Sequence, residues 1–294
     1  MIALGNPLFI VDVFAEAKLE GNQLAVVIDN EGWTTYQMQK FTREMNFSET
    51  TFITSVDLKK RIFKVRIFTP VGELPFAGHP TLGTAYVAAK EIIKHEVPEL
   101  TLSMKAGLIP VTFQRAGDGK PLLWMKQLNP QFDGVHNPQD FAAMFNLNSD
   151  DFDPRFPIQE VSTGVWFYII PLRTREALKR IKLNSEMLKE YSTERKAKWP
   201  LLFCPEPENP ENHLKVRMVN DWTEDPATGS GNGCLAGYLV KHKYFSSTKI
   251  DIRIEQGAEI NRPSLLYLKA EETPGGIDIF VGGKVAMVIR GELA

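Results

Sequence analysis

The chain has 294 residues, 43% of them hydrophobic and 24% charged, with a formal net charge of −2. Its length predicts about two domains, each able to bury a core, and the absence of a basic surplus argues against nucleic acid or a membrane surface as partner. Two cysteines and five scattered histidines give neither a disulfide framework nor the ligand spacing of a metal site, so no metal is expected and a reducing cytoplasm is the expected compartment.

The opening MIALGNPLFIVDVFAEAK lacks a positive leader region, and Asp12 interrupts its apolar run, so it is expected to be a strand and not a signal peptide. No apolar stretch approaches the roughly 18 residues of a membrane span. FIVDVF predicts a first strand, EGNQ a turn and LAVVI a second strand, before a helix near residues 34–45 with Thr34 or Thr35 as its N-cap. ETTFITSV and FKVRIFT are β-rich, AGHP is a turn, and TLGTAYVAAKEIIK has the apolar spacing of a largely buried helix. LTLSMKAGLIPVTF predicts a hairpin, and NPQFDGVHNPQD (129–140), rich in Pro, Asn and Gly, is expected to link two halves. Beyond it come a strand at WFYIIPL, a polar helix near 174–190, an acidic proline-rich loop at 205–213 and a strand at KVRMV. NGCLAGYLVKH predicts a second buried helix, IDIRIEQGAEINRPSLLYLKA a second hairpin, and GIDIFVGGKVAMVIRG a closing pair of strands.

The chain also repeats itself. Residues 64–90 align without a gap on 215–241, an offset of 151. Lys64, Val65, Arg66, Glu73, Pro75, Gly78, Ala85 and Lys90 recur as Lys215, Val216, Arg217, Glu224, Pro226, Gly229, Ala236 and Lys241. A duplicated segment fixes architecture before any single residue is interpreted, and it predicts two like lobes, each with strands wrapped around one apolar helix. In both copies a strand ends, a Glu-x-Pro-x-x-Gly turn follows, and a polar residue, His79 or Ser230, stands at or near the start of the buried helix. A helix N-terminus has unpaired N–H groups and a partial positive charge, and glycine lets a ligand approach that backbone. Two such ends could clamp a small anion; equally, Gly78 and Gly229 could serve only tight turns, with His79 and Ser230 as plain helix caps. The Gly231-x-Gly233-x-x-Ala236 match to a dinucleotide fingerprint is weak, because eleven residues, NDWTEDPATGS, separate it from the preceding strand.

NFSETTF (46–52), FTPVGELPFAGHPTLGTAYV (68–87), EDPATGSGNGCLAGYL (224–239) and EQGAEINRPS (255–264) closely resemble the PhzF-like, or phenazine-biosynthesis-like, family over nearly the whole chain. Gln23 stands where the family commonly has proline. The resemblance implies an α+β fold of the diaminopimelate epimerase type: two pseudo-symmetric lobes, each a rolled sheet around a central helix. The lobes are expected at 1–128 and 129–283, with a cleft between them and a closing strand at 284–294 returning to the first lobe.

The resemblance also implies roles. Glu49 matches the family's general acid/base, His79 and Asp225 its other catalytic polar residues, and Gly78, Gly229 and Ser230 its substrate-binding positions. A carboxylate can move a proton between carbons where a dry pocket raises its pKa towards working pH. On the residues alone, Glu49 reads more readily as a surface glutamate opening a strand, Asp225 equally as turn chemistry before Pro226, and Ser230 as a cap. The epimerases of this fold use two facing cysteines, whose positions here hold Ala77 and Thr228, neither able to act as a thiolate; Cys234 lies inside the predicted helix and reads as a small core residue. The expected activity is therefore a cofactor-independent isomerase acting on a small anionic substrate, as a homodimer by analogy with relatives. An epimerase using Glu49 and Asp225 in place of thiols, or a non-catalytic anion-binding protein, are the alternatives.

Overall fold

The structure, a computed structural model, describes residues 5–220 and 224–293. The first four residues of the expected opening strand, residues 221–223 of the second repeat copy and Ala294 of the expected closing strand lie outside the described residues. The chain divides into two compact units, Met1–Lys126 with Gly282–Ala294, and Gln127–Val281.

In the first unit the chain runs through β1 (Pro7–Val13), β2 (Asn22–Ile28), α1 (Thr35–Met45), β3 (Thr50–Asp57), β4 (Ile62–Phe68), the two-residue β5 (Glu73–Leu74) and α2 (Gly78–Val87). A π-helical turn, Ala88–Ile93, prolongs α2, and β6 (Glu99–Met104), β7 (Gly107–Arg115) and β8 (Pro121–Lys126) follow. Successive neighbours β1, β2, β3, β4, β6 and β7 pair antiparallel, parallel, antiparallel, parallel and antiparallel. Every residue of α2 except Tyr86 is buried, and a helix apolar on all sides belongs inside. Gly83 permits that depth: a Cβ there would fall 2.6 Å from Leu24 Cδ2 and 2.8 Å from Val13 Cγ2. On the opposite face of the sheet, Met38 of α1 packs with Trp33 and Phe41 against Val27, Phe52 and Phe68. Thr34 is the N-cap of α1 and forms a capping box with Gln37.

The second unit contains β9 (Gln131–His136), α3 (Pro138–Phe145), β10 (Ile158–Ser162), β11 (Trp166–Pro171), α4 (Arg175–Arg180), α5 (Ser185–Ser192) and β12 (Trp199–Cys204). It continues through β13 (Leu214–Val219), β14 (Glu224–Asp225), α6 (Gly229–Lys241), β15 (Lys249–Gln256) and β16 (Ser264–Thr273). From β10 to β16 the pairing repeats the antiparallel–parallel–antiparallel–parallel–antiparallel order of the first unit. β17 (Gly276–Gly283) carries the chain back to the first unit, where β18 (Val285–Glu292) pairs antiparallel with β1. The architecture is the predicted one, α+β with each lobe a sheet wrapped on a buried helix.

The segment 129–140 is not a linker: Gln131–His136 is a strand and Pro138 opens α3 behind an Asn137 N-cap, so residues read as breakers are cap chemistry. The helix near 174–190 is two helices, α4 and α5. Between them the N–H groups of Lys182 and Asn184 donate to Phe145 and Met144 carbonyls, and Asn184 caps α5. Both central helices start earlier than predicted, at Gly78 and Gly229, so the repeated glycine is the first helical residue and not part of a turn. Strands β8, β10 and β12 have no counterpart in the sequence reading.

The repeat acquires a physical meaning in the strand before each helix. Arg66 donates through Nε and Nη2 to the two carboxylate oxygens of Glu73, both at 2.8 Å; Arg217 does the same to Glu224, at 3.0 and 2.7 Å. Arg217 and Glu224 are the more enclosed pair, with side chains 10% and 7% exposed against 24% and 10% for Arg66 and Glu73. Removing one partner of a buried pair leaves an uncompensated charge, at a cost of about 3–5 kcal/mol. Glu224→Ala is expected to destabilise the protein by about 3 kcal/mol and Glu73→Ala by less; equal losses in urea-unfolding curves would contradict this reading of the two turns.

Candidate functional site

In the first unit, Glu73 draws β5 back onto the end of β4, with Phe68 opposite Glu73 and Ile67 opposite Leu74. The chain then enters α2 through Ala77, which is extended and gives no side-chain cap. Gly78 and His79 are the first two helical residues and Pro80, the third, has no N–H, so this helix end presents few donors.

Glu49 comes from outside the repeat. Asn46, in the left-handed conformation, ends α1, and Phe47–Ser48–Glu49 lead directly into β3. The Glu49 side chain is 16% exposed, and its Oε2 lies 3.5 Å from His79 Nε2, whose side chain is 7% exposed. Glu49 Oε2 accepts no hydrogen bond from the described residues, a state that costs a buried oxygen about 1–3 kcal/mol. Burial pushes the Glu49 carboxyl from its ordinary 4.5 up to about 7, against a smaller opposing pull from the Ser48 hydroxyl. The unit therefore brings Glu49 to His79, next to Gly78 at the head of α2, with a carboxyl whose pKa lies near neutral pH.

The second unit builds a different arrangement on the same frame. β14 pairs with the end of β13, Met218 opposite Asp225 and Val219 opposite Glu224. Asp225 is followed by Thr228 at the N-cap position of α6, with Gly229 and Ser230 as the first two helical residues. Ser230 is therefore not the cap. Thr228 does not cap the helix with its side chain either: its hydroxyl donates to Asp225 Oδ2 at 2.7 Å. Behind it stands Gln256, the last residue of β15 and 1% exposed. Its Oε1 accepts from the Thr228 N–H and Asn232 Nδ2, and its Nε2 donates to the Asp225 carbonyl and to Thr228 Oγ1. The sequence marks Thr228 only as the position of a missing thiol and Gln256 only as part of a matching motif, because no short-range pattern announces hydrogen bonds spanning 28 residues.

The other candidates fall into the core. Gly231 and Gly233 lie within α6; a Cβ on Gly231 would meet Leu201 Cδ1 of β12 at 2.6 Å and one on Gly233 the Gln127 side chain at 3.1 Å, so these glycines serve close packing of the helix and not a dinucleotide. Cys234 is fully buried, its thiol donating to the Val165 carbonyl and its pKa pushed by burial up to about 12. It cannot supply a thiolate at neutral pH. Among the described residues no His, Cys, Asp and Glu side chains group as a metal site, and no helix is long and apolar enough to cross a membrane.

The raised pKa of Glu49 has a measurable sign. Between its ordinary 4.5 and about 7 the folded chain holds a proton that the unfolded chain has lost, so stability falls as pH rises through this window. At about 1.36 kcal/mol per pH unit the loss approaches about 3 kcal/mol above pH 7. Glu49→Gln is expected to be more stable than the parent at pH 8 by about that amount, and the difference to vanish towards pH 4.5; a pH-independent difference in unfolding midpoints would refute the burial assignment.

A family model described as phenazine biosynthesis-like protein matches residues 11–291. An uncharacterized isomerase of Mesorhizobium japonicum is 33% identical over 293 residues, covering 96% of each chain. Trans-2,3-dihydro-3-hydroxyanthranilate isomerase of Pseudomonas aeruginosa is 34% identical over 266 residues, 89% of each. The crystal structure of a PhzF-family phenazine biosynthesis protein of Bacillus anthracis superposes with a TM-score of 0.90 at 26% identity, covering 100% of both chains. With the fold shared over its full length and a family match over residues 11–291, this chain belongs to the phenazine biosynthesis-like (PhzF) family of isomerases.

Proposed function

We propose that this isomerase shifts a proton, and with it a double bond, within a small carboxylate-bearing metabolite, using Glu49 as a single shuttle and no metal or organic cofactor. The observation that carries this reading is a buried glutamate with pKa near 7, one oxygen free of hydrogen bonds, and a histidine ring 3.5 Å away. As a carboxylate, Glu49 takes a proton from an acidic carbon of the substrate, and the C–H electron pair moves into the adjacent π-system. The negative charge that develops is stabilised by His79 and by N–H groups at the head of α2 beside Gly78, where one well-placed donor contributes about 2.7–4 kcal/mol. The carboxylic acid then returns the proton to a different carbon. Asp225 orients a polar substituent of the substrate, and Gly229 and Ser230 offer further hydrogen bonds. Against two-base racemisation stand the fully buried Cys234 thiol and a Thr228 hydroxyl already engaged with Asp225.

The named activity of the Pseudomonas aeruginosa relative makes trans-2,3-dihydro-3-hydroxyanthranilate the first compound to offer. In D₂O the parent is expected to give an isomer, and Glu49→Gln to turn over about 10²–10⁴-fold more slowly. The parent's kcat/KM is expected to fall as pH drops through about 7, where the base becomes protonated. Unchanged turnover in Glu49→Gln sinks the proposal. Loss of chirality at one carbon without a double-bond shift would indicate an epimerase, and binding without deuterium exchange a non-catalytic receptor.

A further inference from the structure

We infer that Gln256 is a positioning residue for Asp225, acting through the Thr228 hydroxyl. The inference rests on the isomerase reading for its catalytic consequence, and on geometry alone for the positioning itself.

The amide of Gln256 is saturated. Oε1 accepts from Thr228 N–H at 3.1 Å and Asn232 Nδ2 at 2.9 Å, while Nε2 donates to the Asp225 carbonyl at 2.8 Å and to Thr228 Oγ1 at 2.9 Å. Each amide oxygen has two acceptor sites and each NH₂ two protons, so all four are used and the amide has one orientation. Asn232, wholly buried in α6, is tied to the same place by a second bond to the Thr228 carbonyl at 3.0 Å. Because Thr228 Oγ1 accepts from Gln256, its single proton is directed away from the amide and onto Asp225 Oδ2, 2.7 Å distant. A hydroxyl can rotate and serve as donor or acceptor; Gln256 removes that choice. The strand end β15 thereby fixes both the backbone of Asp225, through its carbonyl, and the carboxylate, through Thr228. Gly257, with φ +80°, allows this: a Cβ there would lie 2.5 Å from the Pro226 carbonyl oxygen, so the residue next to Gln256 presses on the turn that carries Asp225. In the first unit the equivalent of Asp225 is Leu74, and nothing there calls for such a device.

Gln256→Glu replaces both amide protons with lone pairs and reverses the preference of the Thr228 hydroxyl. Thr228→Val removes the hydroxyl at constant shape, and Thr228→Ser keeps it. Misplacing a catalytic group by about 1 Å costs on the order of 10²-fold in rate. With trans-2,3-dihydro-3-hydroxyanthranilate as probe, Gln256→Glu and Thr228→Val are expected to lower kcat about 10–100-fold with KM changed less than about threefold, and Thr228→Ser to recover most of the loss. A role in folding alone would lower unfolding temperatures without that split or that rescue. Crystal structures decide the positioning independently of turnover: the Asp225 carboxylate is expected to turn from its present rotamer in Thr228→Val, and the Thr228–Asp225 bond to break in Gln256→Glu. Retention of the Asp225 rotamer in Thr228→Val, or of kcat in both variants while Glu49→Gln is inactive, overturns the inference. Full activity of Glu49→Gln would instead remove the isomerase reading and leave the crystallographic test of Gln256 standing.

Discussion

The bidentate pair between a strand arginine and the first residue of the repeated turn is the constraint from which the rest of each unit follows. β4 and β13 must each end, reverse, and deliver the chain into a helix that runs through the middle of its sheet. A planar guanidinium gripping both oxygens of Glu73 or Glu224 fixes distance and angle together, which a single point charge would not. Burying such a pair seldom stabilises a fold relative to apolar residues of the same volume, so what it contributes here is geometry. Arg217 also donates to the carbonyls of Leu178 and Lys179 at the end of α4, which anchors the turn to the outer helical layer as well as to the strand. With the turn fixed, the direction of α2 and α6 is fixed, and so are the first residues of each helix.

From those helix ends the two units diverge, and the divergence has a chemical logic. A group that must take a proton and give it back cannot sit among fixed donors, because each donor favours the charged form. In the proposed role Glu49 fits this condition, because burial outweighs the pull of the Ser48 hydroxyl on its carboxyl. The Trp33–Phe41–Phe52 cluster under α1, with ring centroids 5.5–6.3 Å apart, anchors the helix whose end delivers Glu49. Asp225 is treated in the opposite way, with a hydroxyl proton aimed at one oxygen by an immobilised amide. One carboxyl is left adaptable and the other is held as an acceptor.

Most of the architecture was legible because it rests on periodicity. A 27-residue segment that recurs 151 positions later states that the lobes are alike, and a helix apolar all round states that it is central. What was not legible depends on composition that serves two purposes. Asn137 and Pro138 have the signature of a loop and of a helix start alike, and only the Asn137 side chain accepting from the Gln139 N–H distinguishes them. β10 and β12 are short and buried on both faces, so they lack the alternation that marks a strand. The site divides along the same line. His79 and Asp225 stand inside the repeat and could be noticed as breaks in its symmetry, whereas Glu49 lies outside it and was reached only through resemblance to a family. Gln256 was beyond either route, because its role is a set of hydrogen bonds between a strand end and a helix start distant in sequence.

The same duplication explains why the asymmetry is possible at all. Once Arg–Glu pairs and buried glycine-bearing helices specify the frame, the residues beside them are released from any part in folding the turn. Leu74 can become Asp225, and Ala77 can become Thr228, without disturbing the strand pairing on which each turn is built. A thiol at positions 77 and 228 would give two equivalent bases; alanine and an engaged threonine give none. The carboxyl with a raised pKa comes instead from the loop that ends α1, at Glu49. The raised pKa follows from that placement, since burial of the Glu49 carboxyl destabilises its charge by more than the Ser48 hydroxyl stabilises it, which is what the proposed shuttle requires.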